Sequence, residues 1–207
     1  FISVEGIEGV GKSTNIDALG RRIEAAGHKV LTTHEPGGTP YAKDIRDILL
    51  NRSDEPVPEI AELLLMFAAR SFNVNNAIVP ALEAGTWVVC DRFTDSSRAY
   101  QGGGRGIPME VIDSIADWVH GDAWPDLTIL LDAPVEIGME RAGTRSEPDR
   151  IEQERHEFFQ RVRECYLQIA VREPDRVVVI DTTRSLEEVR DDIEALVDQL
   201  LERPWFR

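Results

Sequence analysis

The chain has 207 residues, 42% of them hydrophobic, which suits one compact domain with a sizeable core. Its 23 Lys and Arg against 38 Asp and Glu give a net charge of −15, which repels a phosphate backbone and argues against nucleic acid as a partner. The two cysteines, Cys90 and Cys165, lack a C-x-x-C partner and argue against a disulfide scaffold, and no apolar run reaches the ~18 residues of a membrane span.

In chain order, apolar runs at Phe1 to Val4, Lys29 to Thr33, Trp87 to Cys90, Leu127 to Leu131 and Val177 to Ile180 read as strands. They are continuous rather than alternating, as strands covered on both faces require. Helical patterns lie between them: Lys12 to Ala26 stopped by Gly27, Tyr41 to Leu50, Pro58 to Ala84 stopped by Gly85, and Met109 to His120. Pro80 should kink the third or split off its last turn. After the fourth strand come a short helix from Val135, a polar break near Gly143 to Asp149, a helix from about Ile151 to Arg172, and a last helix from Ser185 with Glu188 completing a capping box. Alternating β and α elements with right-handed crossovers predict a three-layer α/β fold on five parallel strands, with 1–207 as a single domain. No basic-then-apolar leader precedes Phe1, so the chain reads as cytoplasmic. Because it opens on a strand without an initiator Met, a few native residues are expected before it.

Gly6, Ile7, Glu8, Gly9, Val10, Gly11, Lys12 and Ser13 match G-x-x-x-x-G-K-[ST] between the first strand and the first helix. Glycines let backbone N–H groups curl around an anion, and the helix N-terminus adds its dipole. A nucleoside triphosphate with Mg²⁺ is expected on this loop and the adjoining Thr14, with Lys12 on the β and γ phosphates and Ser13 on the metal. Two apolar strands end in acid, at Asp91 and Asp132. Asp91 is preferred for the metal because Arg92 beside it offers a phosphate clamp, whereas Asp132 reads as a strand terminator. Against the net charge, Arg clusters at Arg92 to Arg105 and Arg141 to Arg150, which makes both segments candidate phosphate sites. A GTP switch would bring an N-K-x-D run, which the sequence lacks. Arg- and Gly-rich segments between strands fit a phosphate acceptor better than a motor ATPase. A small kinase remains, with a non-catalytic nucleotide-binding module as the alternative. His28, His34, His120 and His156 have no metal-ligand spacing and read as structural or surface groups.

Five further motifs occur in order: His34-Glu35-Pro36-Gly37-Gly38-Thr39, Phe67-Ala68-Ala69-Arg70, Asp91-Arg92-Phe93, Tyr100-Gln101-Gly102-Gly103-Gly104-Arg105-Gly106 and Asp149-Arg150-Ile151-Glu152. With the P-loop, this combination resembles bacterial thymidylate kinase over nearly the whole chain. The resemblance implies the P-loop nucleoside monophosphate kinase fold, ATP as phosphate donor, thymidine monophosphate as acceptor and a homodimer. Another nucleoside monophosphate kinase stays open as the alternative. It also implies Arg92 and Arg46 on the acceptor phosphate, Asp91 and Glu35 near phosphates and metal, and Glu8 near the acceptor sugar with Tyr100 limiting sugar choice. Phe67 and Arg70, three apart on one helix, share a face. Composition alone reads them as a core ring and a solvated charge. The resemblance reads them as a ring stacking on thymine and a donor to its O4, with Met66 as the alternative stacking residue. Ser97 and Gln101, four apart, suit the pyrimidine edge.

A cation between the two phosphates is also needed, and the variable P-loop positions Ile7, Glu8, Gly9 and Val10 supply none. The segment 141–150 resembles the family's mobile lid and offers Arg141, Arg145 and Arg150. Arg145 is the first candidate for the transferring phosphate.

Overall fold

The computed structural model describes residues 1–50, 55–143 and 149–202. Strands β1 (Ile2–Glu5), β2 (Val30–His34), β3 (Trp87–Asp91), β4 (Leu127–Asp132) and β5 (Val177–Asp181) form one parallel sheet in the order β2-β3-β1-β4-β5. Each runs one residue past its apolar stretch, ending on Glu5, His34, Asp91, Asp132 or Asp181. Ladder pairing continues to the polar carboxyl edge, where α/β sheets place ligands.

Both faces of the sheet are covered. Along β3, Trp87 and Val89 join the core cluster that holds Ile16, Leu19 and Ile23 of α1 (Lys12–Ala25). Val88 and Cys90 point the other way, into a cluster with Phe1, Val74, Ile78 and Phe93. Successive residues of a strand face opposite sides, so a strand buried on both must be apolar throughout. Helix α9 (Leu186–Leu201) packs beside α1. Its start is the expected capping box: Ser185 Oγ accepts from the Glu188 N–H at 3.3 Å, and the Ser185 N–H donates to Glu188 Oε2 at 3.0 Å.

Helix α2 (Pro40–Leu50) packs on α3 (Glu59–Asn73), and α3 packs on α6 (Met109–His120). The interruption expected at Pro80 falls ahead of it, and the last turns form a separate helix. A π turn, Val74–Ile78, leads from α3 into α4 (Val79–Glu83), and Pro80 falls in the first turn of α4, where a missing N–H is tolerated. Helix α5 (Thr94–Ser97) continues as a second π segment, Arg98–Gly104. A Cβ on Gly104 would lie 2.4 Å from Phe158 Cε2 and one on Gly103 2.6 Å from Cys165 Cβ, so the glycine run lets this segment lie directly on α8 (His156–Arg172).

Helix α7 (Val135–Gly143) leads into the proposed lid. Helix α8 starts five residues later than the Ile151 expected. The Asp149 carboxylate takes the Ile151 and Glu152 N–H groups at 2.8 and 2.9 Å, forming a turn in place of the first helical turn. Arg145 lies outside the described residues. Among those described, no helix is long and apolar enough to cross a membrane.

Candidate active site

The phosphate loop leaves the end of β1, the central strand, and turns into α1. Gly6, Gly9 and Gly11 have φ of 132°, 74° and 90°, a backbone path that side chains resist. Gly9 also lies against α7, where a Cβ would be 1.9 Å from the Gly138 carbonyl oxygen. Gly11 at the start of α1 provides no side-chain cap, so the first N–H groups of the helix adjoin the loop without a capping side chain, an arrangement suited to an anion. Lys12 Nζ donates to the Gly6 and Ile7 carbonyls at 3.0 and 2.8 Å. Burial, with Arg92 beside it, pulls its ammonium down to about 8.

Beside the loop, Arg92 Nη2 donates to Glu8 Oε1 at 2.9 Å and to the Tyr100 hydroxyl at 3.1 Å, and that hydroxyl donates to the Glu8 carboxylate at 2.8 Å. Burial works against the Arg92 charge, but Tyr100, Glu8, Tyr166 and Asp91 outweigh it, so the guanidinium stays protonated. Arg46, on α2, lines the same cleft and donates to the Pro36 carbonyl at 2.8 Å. Asp91 ends β3 close to Lys12, and its buried Oδ1 has no hydrogen-bond partner. An orphaned carboxylate oxygen beside the loop that carries Ser13 fits a Mg²⁺ shell. Among the described residues no group of three His, Cys, Asp or Glu is placed to hold a metal. Mg²⁺ needs no such cage, because it keeps waters and substrate phosphates as ligands.

The far end of the cleft is built on α3. Arg70 pairs with Glu35 at 2.6 Å and donates to Ser97 Oγ and the Phe93 carbonyl, both at 3.1 Å. Gln101 Nε2 donates to Glu62 Oε1 at 2.9 Å. Glu62 also receives Arg105 Nη2 at 3.1 Å and Arg150 Nη2 at 2.7 Å.

The cleft thus gathers Glu8, Gly9, Gly11, Lys12, Ser13, Glu35, Arg46, Arg70, Arg92, Ser97, Tyr100 and Gln101, drawn from widely separated stretches of sequence. Several expectations need correction. Phe67 is 2% exposed and sits under the Arg70 guanidinium, 4.5 Å from ring centre to Cζ, while Met66 borders the cleft. Adjacent helical positions differ by a large rotation, and here it turns Phe67 into the core. Glu35 does not suit a metal, because its oxygens are taken by Arg70 and by Asn73 Nδ2 at 3.2 Å. Arg150 is not presented to the phosphates: its Nε donates to the Leu49 carbonyl and its Nη2 to Glu62. Arg141 reaches the Thr182 carbonyl at 3.0 Å, after β5. The Val10 side chain is core, so only its backbone can serve the loop, whereas Thr14 is exposed at the start of α1. Asp132 is held by Arg163 through contacts of 2.7 and 2.8 Å.

Sequence reasoning missed Glu5, Ser96, Tyr166 and Glu62. A signal existed for Glu5, the acid that ends β1 as Asp91 ends β3. It is fully buried, and its oxygens take the Phe93 N–H at 2.6 Å, Ser96 Oγ at 2.6 Å and the Tyr166 hydroxyl at 2.8 Å. Burial, with the Asp95 charge adding to it, pushes its carboxyl up to about 7.

A family profile described as thymidylate kinase matches residues 4–193. The chain is similar to the thymidylate kinase of Methylococcus capsulatus, with 55% identity over 97% of this chain and 96% of that one. It is 50% identical to the thymidylate kinase of Neisseria gonorrhoeae over 96% of each. Among solved structures, it superposes on thymidylate kinase from Ehrlichia chaffeensis with a TM-score of 0.78, 32% identity and 98% coverage of both chains.

Proposed function

The chain belongs to the thymidylate kinase family, and from that premise we propose how its cleft divides the work of moving the ATP γ-phosphate onto thymidine monophosphate, giving thymidine diphosphate and ADP. The observation that carries the division is that one cleft is lined both by Lys12 and the phosphate loop and by Arg92 and Arg46.

The acceptor phosphate has a second pKa of about 6, so its attacking oxygen is largely ionised at neutral pH and no general base is required. Catalysis is then a matter of bringing two anions into line and neutralising charge on the transferring group. The loop amides and Lys12 hold the donor. Arg92 and Arg46 present planar forks matched to phosphate oxygens and hold the acceptor. Glu8, anchored by Arg92 and Tyr100, accepts from the acceptor's 3′-hydroxyl. Arg70, Ser97 and Gln101 face the pyrimidine, and Met66 packs on it. Ser13 and Asp91 would hold Mg²⁺, which supplies charge neutralisation to the donor phosphates when bound. Arg145 of the lid supplies the central cation, with residues about 141–150 closing over a single domain of 1–207 and excluding water. Support for the lid comes from the absence of a basic side chain at Ile7, Glu8, Gly9 and Val10. The net charge of −15 favours small nucleotides over nucleic acid, and a cytoplasmic setting is part of this reading.

The enzyme acts as a homodimer. Ile60 and Leu64 stand one turn apart on α3 and are 52% and 53% exposed, and Val111 and Trp118 of the neighbouring α6 are 40% and 93% exposed. Exposed apolar side chains on adjoining helices are what a second copy would cover.

ADP release measured against a panel of nucleoside monophosphates tests the reading. Preferential turnover of thymidine monophosphate is expected. Equal rates for purine acceptors would point to another nucleotide kinase, and the absence of any acceptor-dependent turnover to a binding module.

A further inference from the structure

Arg92 is the only non-glycine with positive φ among the described residues, at 70°. A left-handed conformation is unfavourable for a residue with a Cβ and persists only where the surroundings impose it. The surroundings here are β1. The Arg92 N–H donates to the Val4 carbonyl at 3.0 Å, and the Phe93 N–H donates to Glu5 Oε1 at 2.6 Å. The peptide groups on both sides of the Arg92 Cα are therefore fixed, one by the strand backbone and the other by a carboxylate.

The second oxygen of that carboxylate governs the side chain. Glu5 Oε2 takes the Ser96 hydroxyl at 2.6 Å and the Tyr166 hydroxyl at 2.8 Å. Arg92 Nη1 donates to the same two oxygens, at 3.2 and 3.3 Å. Each hydroxyl has a single proton. The two hydroxyls also lie 2.8 Å from each other; with Glu5 ionised both protons turn to it, and both oxygens then turn lone pairs to the guanidinium. The phenol of Tyr166 is buried, and burial pushes it well above the ordinary range, which keeps it a donor. Tyr166 stands on α8, 161 positions from Glu5, so this contact also ties the helix that follows the lid to the phosphate wall.

We infer that Glu5, acting through Ser96 and Tyr166, is the positioning group that holds Arg92 in its strained, phosphate-directed conformation. The inference rests on the reading of Arg92 as the clamp for the acceptor phosphate. Glu5 does not touch substrate in this role. It sets the backbone of Arg92 with one oxygen and the polarity of two hydroxyls with the other.

Steady-state kinetics of Tyr166→Phe, Ser96→Ala, Glu5→Gln and Arg92→Lys test it, each substrate being varied in turn. Tyr166→Phe removes one oxygen from a packed ring and keeps the inference testable if Glu5→Gln folds poorly. Loss of one charge-assisted hydrogen bond to Arg92 should raise the KM for thymidine monophosphate by about tenfold, with the KM for ATP within about twofold of wild type. In an Arg92→Lys background the Tyr166→Phe effect should largely vanish, because both changes act on one group. If Arg92→Lys raises the acceptor KM and neither Tyr166→Phe nor Glu5→Gln does, the positioning role is wrong and the clamp reading stands. If Arg92→Lys leaves the acceptor KM unchanged, the clamp reading itself fails. Equal losses toward both substrates, or an undiminished Tyr166→Phe effect beside Arg92→Lys, would also overturn the inference.

Discussion

Glu35 and Arg70 form an ion pair of 2.6 Å in which each side chain is 3% exposed, at the base of the cleft between β2 and α3. Breaking a buried pair leaves one charge without compensation, which costs about 3–5 kcal/mol, whereas replacing both partners by apolar groups is often near neutral. Arg70→Ala should therefore lower unfolding stability by about that amount in urea, and the double change Arg70→Met with Glu35→Leu should recover most of it. A single variant with wild-type stability would show that the pair contributes nothing to holding α3 against β2.

The P-loop depends on α7 as well as on its own glycines. Gly138 is helical and has no unusual φ, so Ala there would ordinarily help the helix by about 1 kcal/mol. A Cβ at Gly138 would instead lie 2.6 Å from the Glu8 carbonyl oxygen, so the loop must shift. Gly138→Ala should weaken ATP binding by about tenfold or more, since a displaced loop misaligns several N–H donors at once. The thermal shift given by thymidine monophosphate should persist. Unchanged ATP affinity would mean that the loop's path does not depend on this contact.

The strands were legible because burial on both faces imposes a continuous apolar run, and the P-loop because its chemistry is local. Arg92 and Gln101 were legible through motifs. Other parts had no local record. Tyr166 reaches Glu5 across 161 positions, and nothing in the α8 pattern separates it from an ordinary core aromatic. Met66 and Phe67 are both apolar neighbours on α3, and only packing decides that Phe67 turns under Arg70. The late start of α8 was hidden too, because Asp149 spends its carboxylate on backbone donors that a helical pattern cannot foretell.

Glu5 should make stability depend on pH. Its carboxyl is raised from an ordinary 4.5 to about 7, chiefly by burial, so between those values the folded state holds a proton that the unfolded state has released. The contribution to stability is full below 4.5 and is lost as pH rises through 7, by on the order of 3 kcal/mol. Glu5→Gln cannot titrate there. The difference in unfolding free energy, Glu5→Gln minus wild type, should grow by on the order of 3 kcal/mol between pH 4.5 and 7.5, measured in urea. Arg92, Lys12 and Asp95 face the same group and are common to both proteins, so a flat difference would contradict the buried carboxyl.

The two lid arginines should part company. Arg150 is already bound, to the Leu49 carbonyl and to Glu62, and acts as an anchor. Arg145 carries the proposed catalytic charge. Arg145→Ala should lower kcat by about 100-fold or more and leave acceptor affinity nearly unchanged, as expected for a contact made in the transition state. Arg150→Ala should cost about 1–3 kcal/mol of stability, with a smaller loss in kcat. The reverse ranking of kcat losses would exchange the two roles.

Glu62 bears on which base the cleft accepts. It is 1% exposed, and although burial works against its charge, the donors Arg105, Gln101 and Arg150 hold its carboxyl below the ordinary value. An ionised carboxylate accepts only, so Gln101 must offer it the amide nitrogen, at 2.9 Å, and the amide oxygen is turned away from Glu62. With Gln101 lining the cleft, that oxygen suits the N3–H donor of thymine. Cytosine presents a lone pair at N3 and would face it acceptor to acceptor. Glu62→Gln replaces the acceptor-only partner by one that also donates, which frees the Gln101 amide to turn over. The ratio of kcat/KM for thymidine monophosphate over deoxycytidine monophosphate should then fall by about tenfold or more, a loss of discrimination on the scale of one buried hydrogen bond. General weakening of the site, including the two arginines left beside a neutral amide, lowers both rates together and leaves the ratio alone. An unchanged ratio in a folded Glu62→Gln enzyme would therefore show that Glu62 does not set the orientation of Gln101.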